Sequence, residues 1–234
     1  LTFADVVFST VTADQSAIVA KSASKLMRAD TYFLDLNSCA PSTKRLSAKL
    51  MREKMIRYVD VAVMEPVYPK RHKVPLLISG DWSKEAMTFF DIFSMHCRII
   101  EGEVGKASSI KMVRSIMVKG LEALTAECTL AAFAADVVDE VFPSLLDGHP
   151  RIDILARATY NFERSMRHGK RRAAEMDEVA KMVADLGLPN ALAQATANWQ
   201  RLIAENTTNQ FEAKKRRTLE SYVDELLPRI KKMI

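Results

Sequence analysis

Residues 32–41, Tyr32-Phe33-Leu34-Asp35-Leu36-Asn37-Ser38-Cys39-Ala40-Pro41, carry the reading that decides the fold. Tyr32–Leu36 is a short apolar and aromatic run of the kind that favours a strand. Asn37 and Ser38 break it. Pro41 suits the first turn of a helix that the pattern carries to about Met55. A strand that feeds a helix through a short polar turn is the repeating step of an α/β domain.

The same step recurs on both sides. Upstream, residues 4–11 form a continuous β-branched and apolar run, as expected of a parallel strand buried on both faces. Thr12–Gln15 and a helical pattern through Met27 follow it. Downstream, Arg57–Met64 reads as a third strand. A Pro- and Lys-containing loop at 65–73 leads to Val74–Ser79, a further strand closed by Gly80-Asp81. Residues 83–95 read as helix and Arg98–Ile100 as a short final strand.

From Gly105 onward strand patterns stop. Helical periodicity runs from about Lys106 to Phe133, then over 135–147, 151–166, 170–186, 189–204 and 209–232. The expected fold class is therefore α/β, a partial Rossmann-type doubly wound sheet, followed by an all-α C-terminal domain. The expected domains are 1–103 and 104–234.

Composition agrees. Of 234 residues 48% are hydrophobic and only 7% aromatic, and there are seven glycines, which favours helices over a turn-rich all-β fold. The net charge of +5 suits an anionic ligand. Basic residues cluster at 167–172 and 214–217, but no nucleic-acid-binding module surrounds either cluster, so no nucleic-acid partner is expected. Three cysteines, Cys39, Cys97 and Cys128, form no metal spacing and read as reduced thiols of a cytoplasmic protein without a metal site. The longest apolar stretch, Leu121–Val141, is interrupted by Glu122, Glu127, Asp136, Asp139 and Glu140, so no membrane span is expected. No signal peptide is visible, and the chain begins with Leu rather than Met, so its true start is expected to lie elsewhere.

Three segments, in order, resemble the β-hydroxyacid dehydrogenase superfamily, which includes 6-phosphogluconate and 3-hydroxyisobutyrate dehydrogenases. In the first, Phe33–Thr43, a strand reaches Asp35, a Ser follows at 38 and Pro41 opens the next helix. The second, Tyr58–Pro66, resembles the family's Val-Asp-Ala-Pro-Val-Ser-Gly-Gly substrate segment. The third, Gly105-Lys106-Ala107-Ser108-Ser109-Ile110-Lys111, resembles Gly-x-Gly-x-x-x-Lys, whose Lys is catalytic in the family. The resemblance covers roughly residues 4 to 190. Residues 165–189, with His168, Arg171, Arg172, Glu175 and Pro189, resemble a phosphogluconate dehydrogenase-like subgroup.

The departures are specific. The Gly-x-Gly-x-x-Gly fingerprint that holds a dinucleotide pyrophosphate is absent. The first strand here corresponds to about the fourth of the family's sheet, so two to three βα units are expected to be missing. Met64 and Glu65 stand in place of Ser and Gly, Pro66 in place of a second Gly, Ala107 in place of Gly, and Ser115 in place of Asn.

The resemblance implies an oxidoreductase that moves a hydride between NADP or NAD and a small hydroxy acid or sugar acid. Oxidising a secondary alcohol requires a group that takes the hydroxyl proton, and Lys111 is the candidate general acid/base. Ser115 lies one turn further on the same helix face, and Lys119, a turn beyond, would lower the Lys111 pKa. Thr10 and Val11, and Asn37 and Ser38, end the first two strands, where open α/β sheets bind ligands, and are the candidate cofactor-binding residues. Met64 and Glu65 occupy the substrate segment. His168 and Arg172 belong to a basic cluster suited to a carboxylate or phosphate. A solvated helix face for Lys111, a helix-capping turn for Asn37-Ser38 and a solvated basic patch are the plainer alternatives. An imine reductase on the same fold and a non-catalytic helical dimerisation module are the competing functions. Apolar helix faces in excess of one small core predict a homodimer.

Overall fold

A computed structural model describes residues 1–148, 152–208 and 217–232. The chain divides into two compact units, 1–116 with 177–190, and 117–176 with 191–234. Residues 214–216 of the second basic cluster, and 209–216 of the helix expected at 209–232, lie outside the described residues.

The first unit is built on five strands, β1 (Val6–Ser9), β2 (Tyr32–Asp35), β3 (Arg57–Val63), β4 (Leu76–Ser79) and β5 (Cys97–Ile99), paired in chain order. β1, β2 and β3 are mutually parallel, and their crossovers are helices α1 (Ser16–Ala23) and α2 (Pro41–Arg52). β4 runs antiparallel to β3, a direction that the sequence pattern leaves open. The connection explains it. A parallel return needs a crossover of a dozen or more residues, usually a helix. Residues 64–75 hold only a 3₁₀ turn at Arg71–Lys73, so the chain reverses and runs back. Helix α3 (Ser83–Ile92) then supplies a true crossover, and β5 is parallel to β4.

Side-chain alternation builds two cores. Phe33 and Tyr58 point to one face, where they meet Ala20, Ala23, Met27 and Met51 of α1, α2 and the segment between. Tyr32, Leu34, Val59 and Val61 point to the other face, against Ala86 and Phe90 of α3. Helices on both faces and a central strand buried at its five inner positions are the layers of an α/β domain.

Helix α4 (Lys106–Ala134) starts in the first unit and ends in the second. The second unit also holds α5 (Val138–Asp147), most of α6 (Ile154–Asp185), α7 (Ala191–Glu205) and α8 (Leu219–Lys231). Its core joins Ala126 and Leu130 to Phe142, Phe162, Met166, Ile203, Tyr222 and Leu226, with the rings of Phe162 and Tyr222 stacked 6.2 Å apart. α4 buries one side there and exposes Met117, Leu121 and Leu124 on another. No helix among the described residues is long and apolar enough to cross a membrane.

The sequence pattern breaks 151–186 into two helices, 151–166 and 170–186. The structure has one continuous helix of 32 residues. Gly169 is there for contact: a Cβ at this position would lie 2.5 Å from the Gln200 carbonyl oxygen and 2.8 Å from the Ala204 Cβ, both on α7. Replacing Gly169 with Ala is expected to destabilise the protein by about 1–2 kcal/mol. The overpacking cost, about 1–3 kcal/mol, exceeds the roughly 1 kcal/mol gained in helix propensity. Denaturant unfolding checks this, and a more stable variant would contradict the close packing of α6 on α7.

Candidate active site

The carboxyl ends of β1 and β2 are tied together by Asn37. Its backbone N–H donates to Asp35 Oδ1 (3.0 Å), its Nδ2 donates to Ser9 Oγ (2.9 Å), and its Oδ1 accepts from the Val11 N–H (2.6 Å). The buried Asn37 side chain is thus occupied in holding Val11 in place. Thr10 and Val11 are exposed, and Ser38 is half-buried. These residues end strands whose parallel neighbours leave their carboxyl ends open to a ligand.

Below this edge lies a cluster of buried charge. Asp35 and Asp60 are register partners on β2 and β3, and both are fully buried. Lys44, on α2, lies between them with its side chain fully buried. Its Nζ is 3.0 Å from Asp35 Oδ1 and 3.5 Å from Asp60 Oδ1, and it donates to the Asp35 carbonyl at 2.6 Å. Burial works against the Lys44 charge, but Asp35, Cys39 and Asp60 together raise its pKa, so the ammonium persists. Tyr58 donates its hydroxyl to Asp35 Oδ2 at 2.6 Å, and burial raises its pKa further. Burial also pushes the Cys39 thiol up to about 11, which makes it an inert packing residue.

Asp60 carries a second task. Its Oδ2 accepts the N–H groups of Gly105 and Ser108, each at 3.0 Å, and its Oδ1 accepts the Ser108 hydroxyl at 2.5 Å. Ser79 donates to the same carboxylate and accepts the Ala107 N–H. A carboxylate from a distant strand therefore satisfies the orphan donors of the α4 N-terminus, where the helix dipole favours negative charge. Gly105 has φ +103° and sits against Pro41 and Arg45, so a side chain there would be both strained and crowded.

This capped helix carries Lys111, whose Nζ donates to Ser38 Oγ at 2.5 Å. Ser115, one turn on, is buried. Arg114 donates to the Met64 carbonyl at 3.1 Å, and Glu65 pairs with Lys70 at 2.6 Å. Met64 also lines an open cleft of about 670 Å³ with Leu77, His96, Arg98 and Ile110; neither Lys111 nor Ser38 lines it. The first unit thus gathers Ser38 and Lys111 into one contact and places Thr10, Val11, Met64, Glu65 and Ser115 on the neighbouring strand ends and helix turns.

His168 and Arg172 belong to the second unit. Arg172 is buried, and its guanidinium pairs with Glu122, which also accepts from Gln200 at 3.1 Å. Lys119 pairs with Glu175 at 3.0 Å, and burial lowers its pKa. Glu175 therefore offsets the charge with which Lys119 was expected to tune Lys111. Partial burial, then Arg164, Arg171, Arg167 and Arg172, lower the His168 pKa and favour a neutral imidazole at pH 7.

Comparison with known proteins places the fold. The family of a domain of unknown function, DUF1932, matches residues 132–203. A conserved hypothetical protein from Sinorhizobium meliloti is 32% identical, over 97% of this chain and 76% of its own, with a TM-score of 0.76. A conserved protein of unknown function, whose structure is described as similar to 3-hydroxyacid dehydrogenases, is 28% identical over 85% of this chain and 76% of its own, with a TM-score of 0.61. The 3-hydroxyisobutyrate dehydrogenase of Mycobacterium tuberculosis shares the fold at 15% identity, with a TM-score of 0.65 over 96% of this chain and 80% of its own. The chain belongs to the β-hydroxyacid dehydrogenase superfamily. Its fold is that of NAD(P)-dependent oxidoreductases.

Within this β-hydroxyacid dehydrogenase fold, sequence reasoning assigned no role to Lys44, Asp60 or Glu178. Glu178, from the last turns of α6, accepts the Ala40 N–H at 2.6 Å and the Thr43 hydroxyl at 2.9 Å, and so caps α2 just beyond Ser38. Its sequence separation from that helix is 138 residues, and no local pattern announces it. Asp35 and Asp60 did carry a signal. An acid inside an otherwise apolar central strand demands a buried counter-charge.

Proposed function

We propose that this chain is an NAD(P)-dependent oxidoreductase acting on a small hydroxy acid or sugar acid, with Lys111 as general acid/base. The observation that carries the reading is the contact of Lys111 Nζ with Ser38 Oγ beside the carboxyl ends of parallel strands. A lysine amine held there by a short polar side chain can take a proton from a substrate hydroxyl and return it in reverse.

The polar groups at this edge suit the nicotinamide end of a cofactor. Thr10, the Val11 carbonyl and Ser38 would hold it, with Asn37 fixing the loop that presents them. When bound, a nicotinamide supplies the hydride acceptor or donor. The chain's own residues supply position and proton: Ser38 orients the Lys111 amine, and Lys111 holds the proton at the substrate oxygen. Ser115 lies one helical turn away, within reach of the same substrate. Met64 and Glu65 follow β3 and are the substrate-facing candidates, with Arg114 fixing the Met64 backbone. His168 and Arg172 contribute as supports of the helical unit, since Arg172 is committed to Glu122. The mycobacterial 3-hydroxyisobutyrate dehydrogenase is complexed with L-serine, itself a small β-hydroxy acid, which is consistent with this substrate class.

Lys111→Met is expected to lower turnover of any accepted hydroxy acid by roughly 10²–10⁴, the usual range for general acid/base catalysis, and to change stability little. Steady-state kinetics with NADP⁺ or NAD⁺ and a panel of hydroxy acids measure this. Near-normal turnover in the variant would remove Lys111 from the mechanism.

The same reading makes the chain a homodimer. The exposed apolar residues Ile110, Val113, Met117, Leu121 and Leu124 recur along one stripe of α4 and form its contact. Sedimentation at micromolar concentration is expected to show a dimer, and a compact monomer would contradict it.

A further inference from the structure

We infer that Lys44 is a positioning residue for Lys111, holding the Ser38 loop and the first turn of α4 at the spacing that brings Ser38 Oγ to Lys111 Nζ. The inference rests on the proposed role of Lys111. It concerns how that amine is set in place.

Two polar anchors fix the two halves of the Ser38–Lys111 contact. Asp35 ends β2 and accepts the Asn37 N–H, one residue before Ser38. Asp60 accepts the N–H groups of Gly105 and Ser108, and Lys111 follows Ser108 by three residues on the same helix. These carboxylates are register partners on adjacent strands and both are fully buried. Like charges so placed repel strongly in a medium that water does not screen. Lys44 Nζ answers both. It lies 3.0 Å from Asp35 Oδ1 and 3.5 Å from Asp60 Oδ1, and it donates a hydrogen bond to the Asp35 carbonyl.

Lys44 also sits on α2, whose first residue is Pro41, three positions after Ser38. Its ammonium therefore ties the loop to α4 from both ends of that loop. The sequence disguises the arrangement. In an amphipathic helix a lysine reads as solvated, and here its side chain is fully buried.

The test uses the full chain and reads Lys111 itself. Trace acetylation of lysines with acetic anhydride, followed by peptide mass spectrometry, reports the reactivity of each amine across pH. In Lys44→Met, Lys111 is expected to label about five-fold faster, the factor that loss of one ordinary hydrogen bond allows, and the exposed Lys84 is expected to serve as an unchanged reference. The double variant Lys44→Met with Asp60→Asn removes one charge of each sign, which offsets part of the cost of leaving both carboxylates without their counter-charge. It is expected to show the same release of Lys111, with kcat reduced and KM for the acid nearly unchanged.

A folded variant with a lower melting temperature but wild-type Lys111 labelling and kcat would reduce Lys44 to a structural residue and overturn the inference. Failure of the functional reading looks different. There, Lys111 labelling responds to Lys44 as expected, while Lys111→Met itself leaves turnover intact.

Discussion

Two carboxylates face each other across adjacent strands in the driest part of the sheet, and one lysine keeps them there. Asp35 and Asp60 are register partners, and neither is exposed. Removing an ion from water costs several kcal/mol even after relaxation, so such charges survive only when their partners are complete. Here they are. Lys44, Tyr58, Ser79, Ser108 and the backbone N–H groups of Asn37, Gly105 and Ser108 all point at these two groups. Because those partners come from β3, β4, α2, α4 and the loop after β2, one electrostatic cluster sets the geometry of this edge.

What this edge presents follows from where its residues lie. Asn37 and Asp60 are consumed by structure, while Thr10, Val11 and Ser38 lie at the rim with the Lys111 amine beside Ser38. In the proposed reaction, groups held by so many hydrogen bonds would cost little reorganisation, which is where electrostatic preorganisation gains its effect. The helical unit follows the same logic. Glu122 gathers Arg172 and Gln200, and Lys119 pairs with Glu175, so these buried charges are paired.

The α/β-then-helical architecture was legible because period-2 and period-3.6 patterns change at Gly105 and because Asn37-Ser38-Pro41 marks a strand-to-helix turn. Strand direction was not legible. Periodicity is the same for β4 run either way, and only the missing crossover between 64 and 75 decides it. Nor was the continuity of α6 legible, since a glycine that ends a helix and one that admits a neighbouring helix look identical in sequence. Lys111 and Ser38 were nominated separately, and their contact across 73 residues belongs to the structure. Lys44 was invisible, because a lysine on a helix betrays nothing of the two acids packed around it. The basic cluster at 167–172 reads as an anion site in sequence. The acid that occupies Arg172 lies 50 residues away.

The central claim is that Lys44 and Asp60 act as one unit. The most direct measurement is a double-mutant cycle, with Lys44→Met, Asp60→Asn and their combination compared with wild type by denaturant unfolding. The account predicts a coupling energy on the order of 2 kcal/mol or more, as expected for interacting buried charges. Losses that add to within about 0.5 kcal/mol would show two independent sites and contradict it.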